Sequence, residues 1–199
     1  MSLTKLEAVN IVLDAIGESP VSSLTSGLPD AEAAEAKLDE VRTEILSRGW
    51  HQNVEKSVII KRNADNEILL SNAYLRVDTT GVDKGLNVVQ RYSNGKRKLF
   101  QIRERTYKFS KNLEVDIIVD IPFSELTIEL QNYIAARAAR KFQESALGST
   151  SLDGFTVRAE AESWAGLLDA EAENEDNNIL RDSPHVAYAT YRNNVNYGR

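Results

Sequence analysis

Apolar residues fall into three successive patterns along this chain. Over residues 5–49 they recur every three to four positions, between 54 and 121 they alternate with polar ones, and beyond 125 the helical spacing returns. In the first stretch Leu6, Val9, Leu13 and Ile16 form one helical stripe. Thr4 and Glu7 stand three apart at its start, the spacing of a capping box. Gly17 provides the left-handed stop, and Pro20 keeps the chain from resuming the helix at once. A second helix is expected from Asp30, after Pro29, through Ala34, Leu38, Val41 and Ile45 to Gly49.

In the middle, Val58-Ile59-Ile60, Ile68-Leu69-Leu70 and Tyr74 to Val77 read as short strands between polar turns. Val88 to Tyr92 and Lys98 to Ile102 flank Asn94-Gly95, the dipeptide that suits a type I′ hairpin turn. Leu113 to Ile121 alternates apolar residues with Asp116 and Asp120 and ends at Pro122. A third helix is expected from Ser124 or Glu125 to Leu147, with Leu130, Tyr133, Ile134, Ala138 and Phe142 inward and Gly148 as its stop. A fourth is expected from about Asp153 to Asn174 or a little beyond, carrying Phe155, Val157, Ala161, Trp164, Leu167 and Leu168. From Asn177 the period is lost. The fold class is therefore α+β: helix pairs at 1–50 and 122–176 meet as a four-helix bundle, a small antiparallel β insertion occupies 51–121, and an extended C-terminal tail covers 177–199. Trp50 is expected where bundle meets sheet, and Trp164 on the apolar stripe of its helix.

Several of these end signals also carry a resemblance. Ala8-Val9-Asn10 with Ile16-Gly17-Glu18-Ser19-Pro20-Val21 and Leu24, the Asp30-Ala31-Glu32-Ala33-Ala34 helix start, and Ser47-Arg48-Gly49-Trp50 resemble the tail tubular protein A family of T7-like short-tailed phages. Tyr133-Ile134, Ala138-Ala139-Arg140 and Phe142 continue the likeness, which is looser through the β-rich middle. The resemblance implies a head-to-tail adaptor, a structural virion protein without turnover or cofactor. It further implies a dodecameric ring between the portal protein and the tail nozzle protein, with tail fibres as further partners and DNA passing through the lumen without specific binding. Synthesis in the host cytoplasm and residence in the virion tail are the matching expectations.

Composition narrows the alternatives. The 199 residues include no cysteine, which removes disulfide frameworks, thiol nucleophiles and cysteine-based zinc sites. No apolar run approaches the ~20 residues needed to span a bilayer, and the amphipathic N-terminal helix is unlike a signal peptide. The net charge of −6 runs against a conventional nucleic-acid binder and suits a lumen through which DNA must slide.

Charge is nevertheless segregated. Residues 82–111 hold nine Lys/Arg and two acids, and residues 153–176 hold eight acids and one Arg. These are either two solvated faces or complementary surfaces of neighbouring copies. On the second view Arg91, Lys96, Arg97, Lys98, Arg103 and Arg105 of one subunit face Glu160, Glu162, Asp169 and Glu171 of the next. A third view has the basic hairpin, with Tyr92 and Phe100 interleaved, touching DNA. In the tail, Ile179, Leu180, Val186, Tyr188 and Tyr191 suit a segment that docks on the portal.

Catalytic signals are sparse. His51 and His185 are the only histidines and stand in no metal-ligand spacing, and no nucleophile elbow, Walker A or dinucleotide motif occurs. Asp116 and Asp120 are the candidate pair for a tail-associated polysaccharide or cell-wall hydrolase. At i and i+4 along a strand they stand about 13 Å apart, more than glycosidase chemistry uses.

Overall fold

The computed structural model describes residues 2–147 and 153–182. Four helices and two small antiparallel sheets make an α+β fold. Helix α1 (Lys5–Asp14) opens with the expected capping box, Thr4 accepting from the Glu7 N–H while the Glu7 carboxylate accepts from the Thr4 N–H at 2.8 Å. It closes as a Schellman motif: the Gly17 N–H donates to Asp14 and the Glu18 N–H to Leu13, with Gly17 at φ +81°. Helix α2 (Pro29–Leu46) begins one residue earlier than expected, because Pro29 is accommodated in the first helical turn, where its missing N–H has no partner to lose. Ala34, Leu38, Val41 and Ile45 are all fully buried.

Helix α3 (Ile128–Leu147) starts later than expected, since Phe123–Glu125 forms a 3-10 turn instead. Its stripe of Leu130, Tyr133, Ile134, Ala138 and Phe142 is buried as expected. The expected stop at Gly148 lies outside the described residues. α1, α2 and α3 pack mutually. Helix α4 (Asp153–Asp182) packs mainly along α3 and touches the 3-10 turn His51–Asn53. One apolar core runs through α1, α2, α3 and Trp50 and takes in Leu167 from α4.

The apolar residues of α4 do not share one inward face. Val157, Ala161 and Leu168 are exposed, whereas Glu160 and Leu167 are buried. Arg137 and Arg140 of α3 draw Glu160 inward, and that rotation carries the other three outward. The helix also extends past Asn177, so Ile179 and Leu180, expected in an extended tail, lie within the span of α4. Val186, Tyr188 and Tyr191 lie outside the described residues.

Strand β5 (Leu113–Val119) is the centre of a three-stranded sheet, with β1 (Val54–Ile60) and β2 (Tyr74–Thr79) antiparallel on either side. β3 (Val88–Ser93) and β4 (Lys96–Gln101) form the expected hairpin, Asn94 and Gly95 both at positive φ. Ile68 to Leu70 is a single bridge rather than a strand. It alternates as expected, Ile68 and Leu70 inward and Leu69 outward, but pairs with β4 only around Leu69 and Lys98. A second core gathers Ile68, Leu99, Phe109, Leu113, Val115 and Ile117.

Three polar side chains join the helical and sheet halves. Buried Asn53 accepts from the Trp50 N–H and donates to the carbonyls of Leu46 and Val119, tying the end of α2 to β5. Arg42 of α2 donates to the Ile121 carbonyl and pairs with Asp120. Gln52 exchanges bonds with Glu125 and Thr127. Gly49 is required where these halves meet: at φ +82°, an added Cβ would stand 2.9 Å from the Ile118 side chain.

Candidate functional site

The basic residues of the hairpin separate into internal and outward groups. Cross-strand partners share a face of a sheet, so Arg91 and Lys98, Val89 and Phe100, and Ser93 and Lys96 line one side, with Tyr92, Gln90, Arg97 and Leu99 on the other. Lys98 is buried and bonds to Glu67 at 2.6 Å, beside the Tyr107 ring. Arg97 is a staple: its guanidinium donates to the carbonyls of Asn72 and Tyr74 and to the Gln90 side chain, locking the hairpin against the start of β2. A buried cation without a partner is costly, so these two charges are matched inside the subunit and leave the set available to another molecule.

Arg91, Lys96, Arg103 and Arg105 are exposed. Arg91 lies flat over Phe100, its guanidinium carbon 3.9 Å from the ring centroid, and Phe100 in turn meets Tyr107 at 4.9 Å. Stacking fixes the Arg91 stem and leaves the charge at the surface. Tyr92 points from the other side of the hairpin, so the basic and aromatic residues read together in the sequence do not form one continuous face.

The acidic helix divides in the same way. Both oxygens of Glu160 are used inside the subunit, by Arg137 at 2.7 Å and Arg140 at 2.8 Å. Arg137 also reaches Glu44 of α2, which Lys141 pairs as well, so one charge network spans α2, α3 and α4. The Lys141 ammonium, and after it Arg137, holds the Glu44 carboxyl below the ordinary value despite partial burial. Burial alone would lower the Arg137 pKa, but hydrogen bonds to Glu44 and Glu160 outweigh it and raise it. Glu160 is therefore an internal ligand of α3. Glu171 is half-buried and accepts the His51 N–H at 3.1 Å, which gives that histidine a backbone role at the helix–sheet junction. Glu162 and Asp169 remain exposed, Glu162 with Arg158 one turn before it.

The candidate carboxylate pair serves the architecture. Asp116 accepts the N–H of Ser57, a residue at φ +55° in the bulge of β1, at 2.9 Å. Asp120 pairs with Arg42. A depression of about 330 Å³ between α1, α3 and α4 is lined largely by Ile11, Ala15, Ala135, Ala139 and Ala159, and neither aspartate borders it. Among the described residues no group of three His, Asp or Glu is placed to hold a metal, and no helix is long and apolar enough to cross a membrane.

Sequence reasoning passed over Asn53 and Gln131. Gln131 is fully buried, accepting from the Leu3 N–H and donating to the Phe123 carbonyl. Amides within an otherwise helical or looped pattern give no local sign of partners 66 or 128 residues away. The only available hint was an amide on or beside an apolar stripe.

Comparison with known proteins matches the sequence of this chain to a family described as tail tubular protein, over residues 6–177. Tail tubular protein A of Klebsiella phage KP34 is 27% identical over 150 residues, covering 75% of this chain and 76% of that protein.

Proposed function

Because the chain belongs to the tail tubular protein family and is thus a structural component of a phage tail, we propose that it acts there as the head-to-tail adaptor. Copies close into a ring, of dodecameric size, between the portal protein and the tail nozzle protein, and DNA passes through the lumen. The helices meet as a bundle that forms the rigid wall, and the sheets and hairpin offer surfaces to neighbouring tail proteins. The observation that carries this reading is the extent of the family match, which takes in both the helical core and the β region rather than one motif. The net charge of −6 supports a lumen that does not hold phosphates. Ring closure engages two interfaces per copy, so each contact need only be moderate in strength.

The C-terminal residues Val186, Tyr188 and Tyr191 are proposed to dock on the portal, tyrosine being a low-entropy anchor at interfaces. Light scattering of the chain with its cognate portal ring tests both ideas. Co-elution at a fixed copy number, abolished by deleting residues 183–199 while α4 is kept, supports adaptor and docking segment together. Co-elution that survives the deletion removes the docking role. Failure to associate at any salt concentration removes the adaptor.

A further inference from the structure

α4 carries two apolar stripes, and only one of them is covered within the subunit. The covered one runs through Trp164 and Leu167. The other comprises Val157, Ala161, Ala165, Leu168 and Ala172, every one exposed, with Val157 at 40% and Leu168 at 45%. At 3.6 residues per turn these five fall on one arc, roughly 100° around the helix axis from the buried one. Glu162 and Asp169, both exposed, lie along the far edge of that arc. Exposed leucine or valine taken singly is ordinary, but five apolar positions at helical spacing over four turns are the pattern of a helix that packs on two sides.

Taking the ring reading above as its basis, we propose that this flank of α4 is the seam between subunits, and that a second copy of this chain covers it with the outward face of its β3–β4 hairpin. The two surfaces match in kind. On the hairpin Ile102 is exposed at 46%, the Arg91 guanidinium covers the buried Phe100 ring, and Arg91, Lys96, Arg103 and Arg105 are all exposed cations. On α4 the floor is Val157 to Ala172, and Glu162 and Asp169 stand at its edge, Glu162 paired with Arg158. A contact between two α4 flanks would instead bring together two copies of a segment with eight acids and one arginine, which like-charge repulsion disfavours. Pairing two different surfaces is also the geometry that generates a ring rather than an isolated dimer. Burial of the α4 stripe and of Ile102 supplies the affinity, and the opposed charges set register and encounter rate.

The chain contains no cysteine, so single cysteines report the contact cleanly. Leu168→Cys and Ile102→Cys variants, each checked for an unchanged thermal midpoint, are mixed under mild oxidation. The disulfide joining one variant to the other is expected to exceed either self-disulfide by about tenfold, a difference that an apolar, charge-matched contact readily supplies. Asp169→Lys should reduce that product, and Lys96→Glu on the partner should restore it. Dominant self-disulfide of Leu168→Cys overturns the hairpin as occupant, and absence of any disulfide overturns the seam. Retention on the portal separates this from the ring reading: several copies retained without the mixed disulfide sink the seam alone. No retention with no disulfide sinks both.

Discussion

Trp50 and Trp164 meet edge to face, their ring centroids 5.8 Å apart and their planes at 81°. Trp50 follows α2 and donates its indole N–H to the Ile45 carbonyl at 2.8 Å, which fixes one ring. Trp164, from the middle of α4, also packs on Tyr133 at 4.9 Å, with Arg48 over its face. Through these contacts a helix that packs mainly on α3 is fastened to the end of α2. Trp164→Ala should cost about 2–3 kcal/mol, the loss of a large, mostly covered aromatic. It should also abolish the near-ultraviolet circular dichroism of the pair. An unchanged urea midpoint would show that α4 is anchored elsewhere.

Glu160 is the polar counterpart of that anchor. Glu160→Ala leaves Arg137 and Arg140 without their shared carboxylate and is expected to destabilise by about 3 kcal/mol. Hydrogen exchange should localise the loss to α4. Uniform acceleration across α1 and α2 would instead implicate the whole helical core.

Acid sensitivity follows from two carboxyls held below their ordinary values. Lys141, then Arg137, lowers Glu44, and Lys111, then the Glu114 N–H, lowers Asp83. A folded-state pKa below the unfolded one gives stability that is fully present above the unfolded value and lost as pH falls through the folded value. The thermal midpoint should therefore decline once pH drops below the ordinary value of 4.5 for Glu44 and then 3.8 for Asp83. Glu44→Gln and Asp83→Asn should be less stable than the parent at neutral pH and converge with it in acid. Parallel curves at every pH would refute the linkage.

The buried Lys98–Glu67 pair makes a separate prediction for the hairpin. Glu67→Ala strands a lysine whose side chain is only 7% exposed and should cost about 3 kcal/mol. Lys98→Met with Glu67→Leu, which removes both charges, should recover most of it. If the single change is neutral in a thermal melt, Lys98 is reaching solvent and returns to the candidate interface.

Asn53 joins the helical and sheet cores through three backbone partners. Asn53→Ala orphans the Trp50 N–H and two carbonyls at a buried position, with an expected cost of roughly 2–3 kcal/mol. Denaturation followed by fluorescence should stay a single transition if the cores remain coupled. Splitting into two would mean this amide is what couples them.

Local chemistry determined much of this protein. Thr4 and Glu7, Gly17, Asn94-Gly95 and the stripe from Ala34 to Ile45 each act within a few residues, so their conformations are legible from neighbours alone. The family resemblance likewise rests on local signals, Ile16-Gly17-Glu18-Ser19-Pro20-Val21 and Ser47-Arg48-Gly49-Trp50 among them, which is why the sequence pointed to a tail protein before any contact was known. Contacts between distant segments decided the rest. Helix α4 has apolar residues on two arcs, and its own period cannot say which is buried. Arg137 and Arg140 choose by pulling Glu160 inward, exposing Val157, Ala161 and Leu168. Lys98 and Arg97 look like surface charge until Glu67 and the carbonyls of Asn72 and Tyr74 are placed beside them. A charge in isolation belongs in water, and only a partner brought by the fold can offset its burial. That is why the division between internally paired and exposed charges emerged from the tertiary structure and not from the charge count.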